Sequence, residues 1–166
     1  MDIIIGTHSV GKTTLLKEID KTHPELYTSD GFSRPLQESL KGLEPVYIQK
    51  VLNELTLWRW KQDIEKKNCI FGRSIIDCIV YSRILFPDLQ VRSLVKELET
   101  SRKQVRNYFY LPIEFELQKD GIRPEDIAFQ KQVDEDFYDL MARYNLDAVT
   151  LTGSVEERLE KFNKYV

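Results

Sequence analysis

The chain opens on an apolar, β-branched run, Asp2-Ile3-Ile4-Ile5, that stops at Gly6. From Gly11 to Lys21 the pattern takes on the period of a helix, with Leu15, Leu16 and Ile19 on one side. This predicts strand, glycine-rich loop, helix. A second short strand around Leu26 to Thr28 leads into Ser29-Asp30-Gly31. From about Pro45 to Lys67 a long helical segment carries Val51, Leu55 and Trp58 as one apolar set and Leu57, Trp60 and Ile64 as another. Two sets on one helix predict contact on two sides, one with a sheet and one with a pocket. Cys69-Ile70-Phe71 reads as a buried strand, and Ser74 as the N-cap of a helix from Ile75 to Phe86 that Pro87 stops. A helix over Val91 to Lys103 and a strand from Val105 to Leu111 follow, then a polar, irregular stretch from Glu114 to Arg123. A helix from Pro124 to about Tyr144, with proline in its first turn, a strand from Ala148 to Leu151 and a helix from Val155 to Tyr165 complete the pattern. Strands alternating with helices predict an α/β fold: a five-stranded parallel sheet with helices on both faces.

Composition narrows this picture. A chain of 166 residues, 42% of them hydrophobic, suits one core and hence a single domain over residues 1–166. The formal net charge of -3 lacks the basic footprint of a dedicated duplex-DNA binder. No apolar run reaches membrane-spanning length and the first residues do not resemble a signal peptide, so a cytoplasmic protein without membrane contact is expected. Cys69 and Cys78 lie among apolar neighbours and read as reduced packing residues.

Gly6-Thr7-His8-Ser9-Val10-Gly11-Lys12-Thr13 fits the phosphate-loop pattern G-x-x-x-x-G-K-[ST] at every fixed position, between a strand and a helix as that motif requires. The chemistry explains the residue types. Backbone N–H groups of Gly6, Ser9, Val10, Gly11 and Thr14 can wrap phosphates at a helix N-terminus, Lys12 reaches the outer phosphates, and the Thr13 hydroxyl ligates Mg²⁺. ATP and Mg²⁺ are therefore the expected cofactors. His8 occupies a free position and reads as a spacer. A GTPase switch is disfavoured, since no D-x-x-G occurs and the Asn163-Lys164 pair lacks the aspartate of N-K-x-D. ABC and AAA-type ATPases are larger modules with further signature motifs, for which this length leaves little room. A small-molecule kinase is the expectation.

With Lys12, Arg73, Asp77 and Arg123 in view, the chain resembles the P-loop nucleoside and nucleotide kinases. The nearest likeness is to small bacterial and phage kinases of the nicotinamide riboside kinase type, and more distantly to thymidylate kinases. In those families a strand ends in Asp-Arg or Glu-Arg; Phe71-Gly72-Arg73-Ser74 stands there in this chain, so the arginine is kept and the acid is not. The resemblance implies that Asp30 or Asp77 supplies the carboxylate that takes or orients the acceptor's hydroxyl proton. It also implies that Arg34 and Arg73 contact the acceptor. The stretch 114–123 would be a lid bringing Arg123 to the phosphates, and Gly153, in Leu151-Thr152-Gly153-Ser154, would belong to the loop that holds the adenine ring. Lys12, Mg²⁺, Arg73 and Arg123 would together neutralise the transferring group. Phe32, Trp58, Trp60 and Tyr81 are candidates to stack on the acceptor base.

The implied partners are ATP and a small nucleoside or nucleotide acceptor, with room for a homodimer. Two other functions stay open: a polynucleotide or modified-base DNA kinase, and a regulatory nucleotide-binding ATPase module, the latter favoured by Gly72.

Overall fold

The isoleucine run sits mid-sheet because it is apolar on both faces. The computed structural model describes residues 1–115 and 126–166. Strands β1 (Asp2–Ile5), β2 (Tyr27–Ser29), β3 (Cys69–Phe71), β4 (Asn107–Tyr110) and β5 (Ala148–Thr150) form one sheet in the order β2-β3-β1-β4-β5. All pairings are parallel; β1 sets Asp2 opposite Ile70 on one side and Asn107 on the other. Ile3 and Ile5 point into one apolar cluster and Ile4 into a second on the opposite face.

The two clusters are the two helical layers. Helices α1 (Lys12–Thr22) and α7 (Val155–Phe162) cover the Ile4 face through Leu15, Leu16, Ile19 and Phe162. Helices α3 (Pro45–Asp63), α4 (Ile75–Leu85), α5 (Arg92–Ser101) and α6 (Ile127–Tyr144) cover the other through Leu57, Trp60, Ile75, Ile79, Leu98 and Phe137. The three-layer α/β architecture is the expected one. Among the described residues, no helix is long and apolar enough to cross a membrane.

Three local readings are corrected. A short helix α2 (Ser33–Ser39) follows β2 where no helix was expected. Its seven residues offer too few apolar positions for a period to show, and Pro35 falls in the first turn, where its missing N–H does no harm. Helix α3 ends at Asp63 rather than Lys67. Helix α6 begins after Asp126, whose extended backbone and side-chain bond to the N–H of Ala128 (2.8 Å) make it the N-cap. Pro124, expected in that first turn, lies outside the described residues.

Parallel strands bring their carboxyl ends to one edge of the sheet, which in such folds is where ligands bind. The order β2-β3-β1 therefore places Asp30, Gly72 and the glycine-rich loop side by side.

Candidate active site

The loop after β1 has the backbone of an anion cradle. Gly11 (φ 90°) and Ser9 (φ 61°) both adopt left-handed conformations, which turn successive N–H groups toward one side. Gly11 caps α1 without any side-chain hydrogen bond, and the first turn of α1 carries no acid. A Cβ on Gly6 would stand 2.5 Å from the Leu111 carbonyl oxygen, so only glycine fits there. Lys12 is buried, and its ammonium folds back onto the carbonyl oxygens of Gly6 and Thr7. Val10 is buried in the Ile4-face core, and Thr14 is exposed on the first turn of α1.

Beyond the loop, the Thr13 hydroxyl donates to Asp30 Oδ2 at 2.7 Å. Asp30 Oδ1 is buried without a hydrogen-bond partner among the described residues, 3.7 Å from Nε of Arg73. Gly72 explains its position. A Cβ there would meet Leu16 Cδ1 at 2.5 Å and Asp30 Oδ1 at 3.1 Å. The space that an acid at 72 would need is filled by a leucine and by a carboxylate reaching across from the neighbouring strand.

On the β2–β3 side of the loop lies a cavity of about 100 Å³, lined by residues of α2, α3, α4 and α6. Phe32, Tyr81 and Phe129 supply its aromatic walls, and Gln37, Gln49, Arg59, Arg73 and Asp77 its polar ones. Such a mix of apolar surface and few converging polar groups is typical of small-molecule sites. Asp77 is buried; its Oδ2 accepts the Ser74 N–H (2.9 Å) in a capping box, while Oδ1 has no hydrogen-bond partner among the described residues. Burial drives its pKa above the ordinary 3.8, against the pull of Lys12, Arg73 and the Ser74 N–H. Beside it, burial pushes the Cys78 thiol up to about 12; Cys69 and Cys78 are both buried free thiols.

Lys12, Thr13, Asp30, Arg73 and Asp77 are thus brought together, but other candidates stand apart. Trp60 is packed in the core with its indole N–H donating to Ser101 Oγ (2.8 Å), and does not line this cavity. Trp58 is 61% exposed. Arg34 is exposed on α2 and does not line the cavity either. Arg123 and residues 116–123 of the expected lid lie outside the described residues. Gly153 adopts φ 89°, and its N–H donates to Glu114 Oε2 at 2.9 Å.

Several site residues escaped the sequence reading. Arg59 lies over the rings of Tyr27, Phe32 and Phe71, with its Nε 3.5 Å from an Asp63 oxygen. On α3 the cavity is faced by Gln49, Leu52, Thr56 and Arg59, a mostly polar stripe that an apolar period cannot reveal. His8, read as a spacer, is buried and hydrogen-bonded through Nδ1 to the Tyr81 hydroxyl (3.1 Å), which links the phosphate loop to the cavity wall.

A family model described as AAA domain matches residues 3–158. Length alone therefore does not separate this chain from AAA domains, contrary to the expectation from sequence: the shared part is the α/β core that these residues fill. No curated protein is similar enough in sequence to match the chain. Solved structures with the same fold include NadR protein in complex with NR, at a TM-score of 0.70 and 14% identity, covering 99% of this chain and 50% of that one. YorR protein in complex with phosphorylated GDP, from Bacillus subtilis, overlays at 0.67 and 16% identity, covering 98% and 93%. Deoxyadenosine kinase from M. mycoides with bound dATP overlays at 0.66 and 13%, covering 99% and 98%. The chain thus spans about half the length of NadR but nearly all of the other two. At these identities the likeness is one of fold, and that fold is the P-loop kinase fold.

Proposed function

This chain belongs to the AAA domain family, and from that premise we propose that it is an ATP-dependent phosphotransferase acting on a nucleoside or nucleotide. The observation that carries the reading is the junction of an anion cradle with a cavity, at whose border stands a buried carboxylate, Asp77, whose Oδ1 has no hydrogen-bond partner among the described residues. A chain that only bound nucleotide would need the cradle and not the cavity. The overlay with YorR protein, which holds phosphorylated GDP, and with deoxyadenosine kinase, which holds dATP, supports the same reading.

In this reaction the acceptor hydroxyl oxygen bonds to the γ-phosphorus of ATP, the bond from that phosphorus to the β–γ bridging oxygen breaks, and ADP leaves. Asp77 Oδ1 takes the hydroxyl proton. Its raised pKa suits it to that role, because a base is most effective when its pKa approaches the working pH. Lys12 and Arg73 neutralise charge on the transferring group and Phe32, Tyr81 and Phe129 enclose the acceptor. Arg123 joins the cations if the segment that bears it reaches the phosphates.

Mg²⁺ fits the oxygen donors present: the Thr13 hydroxyl would be its protein ligand and the Asp30 carboxylate would hold that hydroxyl. When bound, the ion supplies positive charge to the phosphates.

The test is a panel of nucleosides, nucleoside monophosphates and short single-stranded DNA with γ-labelled ATP, followed by identification of the labelled product. Label on a nucleoside or nucleotide is expected. Label only on DNA would make the chain a polynucleotide kinase, and release of label as phosphate with every acceptor would make it an ATPase module.

A further inference from the structure

The phosphate loop is tied to the cavity at one residue. His8 is buried inside the loop and does not itself line the cavity, yet its ring stands against two of the cavity's aromatic walls. The ring centroid is 5.7 Å from that of Phe129 and 6.4 Å from that of Tyr81, and Nδ1 lies 3.1 Å from the Tyr81 hydroxyl. The Thr7 hydroxyl, on the loop itself, is 3.2 Å from the same nitrogen. Tyr81 belongs to α4 and Phe129 to α6, so the imidazole joins the loop to both helices that wall the cavity there.

The backbone of His8 is held as well. Gln130, 2% exposed, donates through Nε2 to the His8 carbonyl at 2.9 Å. In a planar trans peptide the C=O and the following N–H point in opposite directions, so the bond that holds the His8 carbonyl also fixes where the Ser9 N–H points. Ser9 is the residue whose φ of 61° helps turn the loop's N–H groups to one side. Gln130 follows Phe129 directly on α6: one residue faces the cavity, and the next sets an N–H of the anion cradle.

We infer that His8 is a positioning residue through which an acceptor in the cavity tightens the phosphate loop on its nucleotide. This rests on the phosphotransferase reading above. An occupant pressed against Tyr81 and Phe129 restricts both rings, and with them the imidazole and the peptide between His8 and Ser9. The Ser9 N–H is then held where a phosphate oxygen meets it. Such coupling is reciprocal, so acceptor and nucleotide raise each other's affinity by one common factor.

The experiment measures binding of β,γ-imido ATP by calorimetry, alone and with deoxyadenosine, deoxycytidine, thymidine or their 5′-monophosphates present at high concentration. In the wild type at least one of these compounds should tighten imido ATP binding by about 5–150-fold, the range of coupled sites. His8→Ala should bring that factor to about 1, while the compound's affinity for the nucleotide-free protein stays as in the wild type. His8→Asn, whose amide can stand where Nδ1 stood, should keep most of the coupling. Tyr81→Phe should lose it, and the double variant should lose no more than either single one, because both break the same link. The chain holds two histidines, so ring-nitrogen spectra report on His8 with His23 as the control. The cavity compound alone should move the His8 signals in the wild type and not in Tyr81→Phe, and should leave those of His23 in place. A His8→Ala variant weakened equally with and without the cavity compound would reduce His8 to a support for the loop, and a wild type whose imido ATP affinity responds to none of the compounds would remove the coupling. Either result overturns the inference alone, whereas a wild type that binds no imido ATP overturns the phosphotransferase reading and the coupling with it.

Discussion

The Thr13 hydroxyl is held by Asp30, a residue on a different strand end, at 2.7 Å. A hydroxyl that donates to a carboxylate keeps its lone pairs for a cation, so under the proposed function Asp30 would act one step behind the metal ligand. Asp30→Asn preserves an oxygen for the hydroxyl and removes the charge. Outer-shell changes of this kind weaken metal binding by about 10–100-fold. Titrating Mg²⁺ into the protein with ADP should show such a loss, with ADP affinity in the absence of Mg²⁺ unchanged.

Lys12→Ala should lower turnover by at least about 10²-fold, as expected for a preorganised charge on a transferring group. The ammonium's contacts to Gly6 and Thr7 are to backbone oxygens within the loop, so the melting curve should move little. Near-normal turnover in a folded variant would remove the phosphate loop from the active site.

Asp77→Asn should depress kcat with little effect on ATP affinity, because the amide cannot take the proton. The same change should stabilise the fold near neutral pH. Asp77 has a folded-state pKa raised above 3.8, so the folded state binds more protons than the unfolded one between those values, and stability falls as pH rises through the folded pKa. Asparagine lacks this titration. The melting temperature of the variant relative to wild type should therefore climb as pH is raised from below 3.8 toward neutrality, and a pH-independent difference would contradict the burial of the charge.

Gly72→Ala should destabilise the protein by about 1–3 kcal/mol, the usual effect of forcing a group into filled space. The new methyl would meet Leu16 Cδ1 at 2.5 Å. Combining it with Leu16→Ala should recover part of what Gly72→Ala loses relative to Leu16→Ala alone, measured by urea denaturation. Strict additivity would mean that the two side chains do not compete.

The strand and helix order was legible because each local signal agreed with the fold: Ile3 to Ile5 before a glycine, Ser74 as a cap, proline at the head of α3. The phosphate loop was legible because its chemistry is confined to eight consecutive residues. The cavity was legible only in part: Phe32 and Tyr81 were singled out, but Arg59 and Phe129 were not, since the four come from separate segments and no local spacing links them. Trp60 shows the converse difficulty. It shares a helix with cavity residues, but the step of about 100° from Arg59 to the next residue points it at Ser101 and the core. Arg158 carries a charge that sequence patterns assign to solvent, and its burial follows only from its meeting with Val10 and Glu114, both distant in the chain.

The central place of β1 also bears on how the chain is made. During translation Ile3, Ile4 and Ile5 precede every partner they will have: Cys69–Phe71 supplies one neighbour, and Asn107–Tyr110 the other. A nascent chain halted before β4 would expose one edge of its most apolar strand, a surface prone to mispairing with other chains. Contacts so distant in sequence also slow folding, because loops must close before the pairing rewards them. The strand that carries the phosphate loop at its tip is thus synthesised before both neighbours and enclosed only when the fourth strand arrives, so the ribosome releases a competent nucleotide site only after most of the chain has emerged.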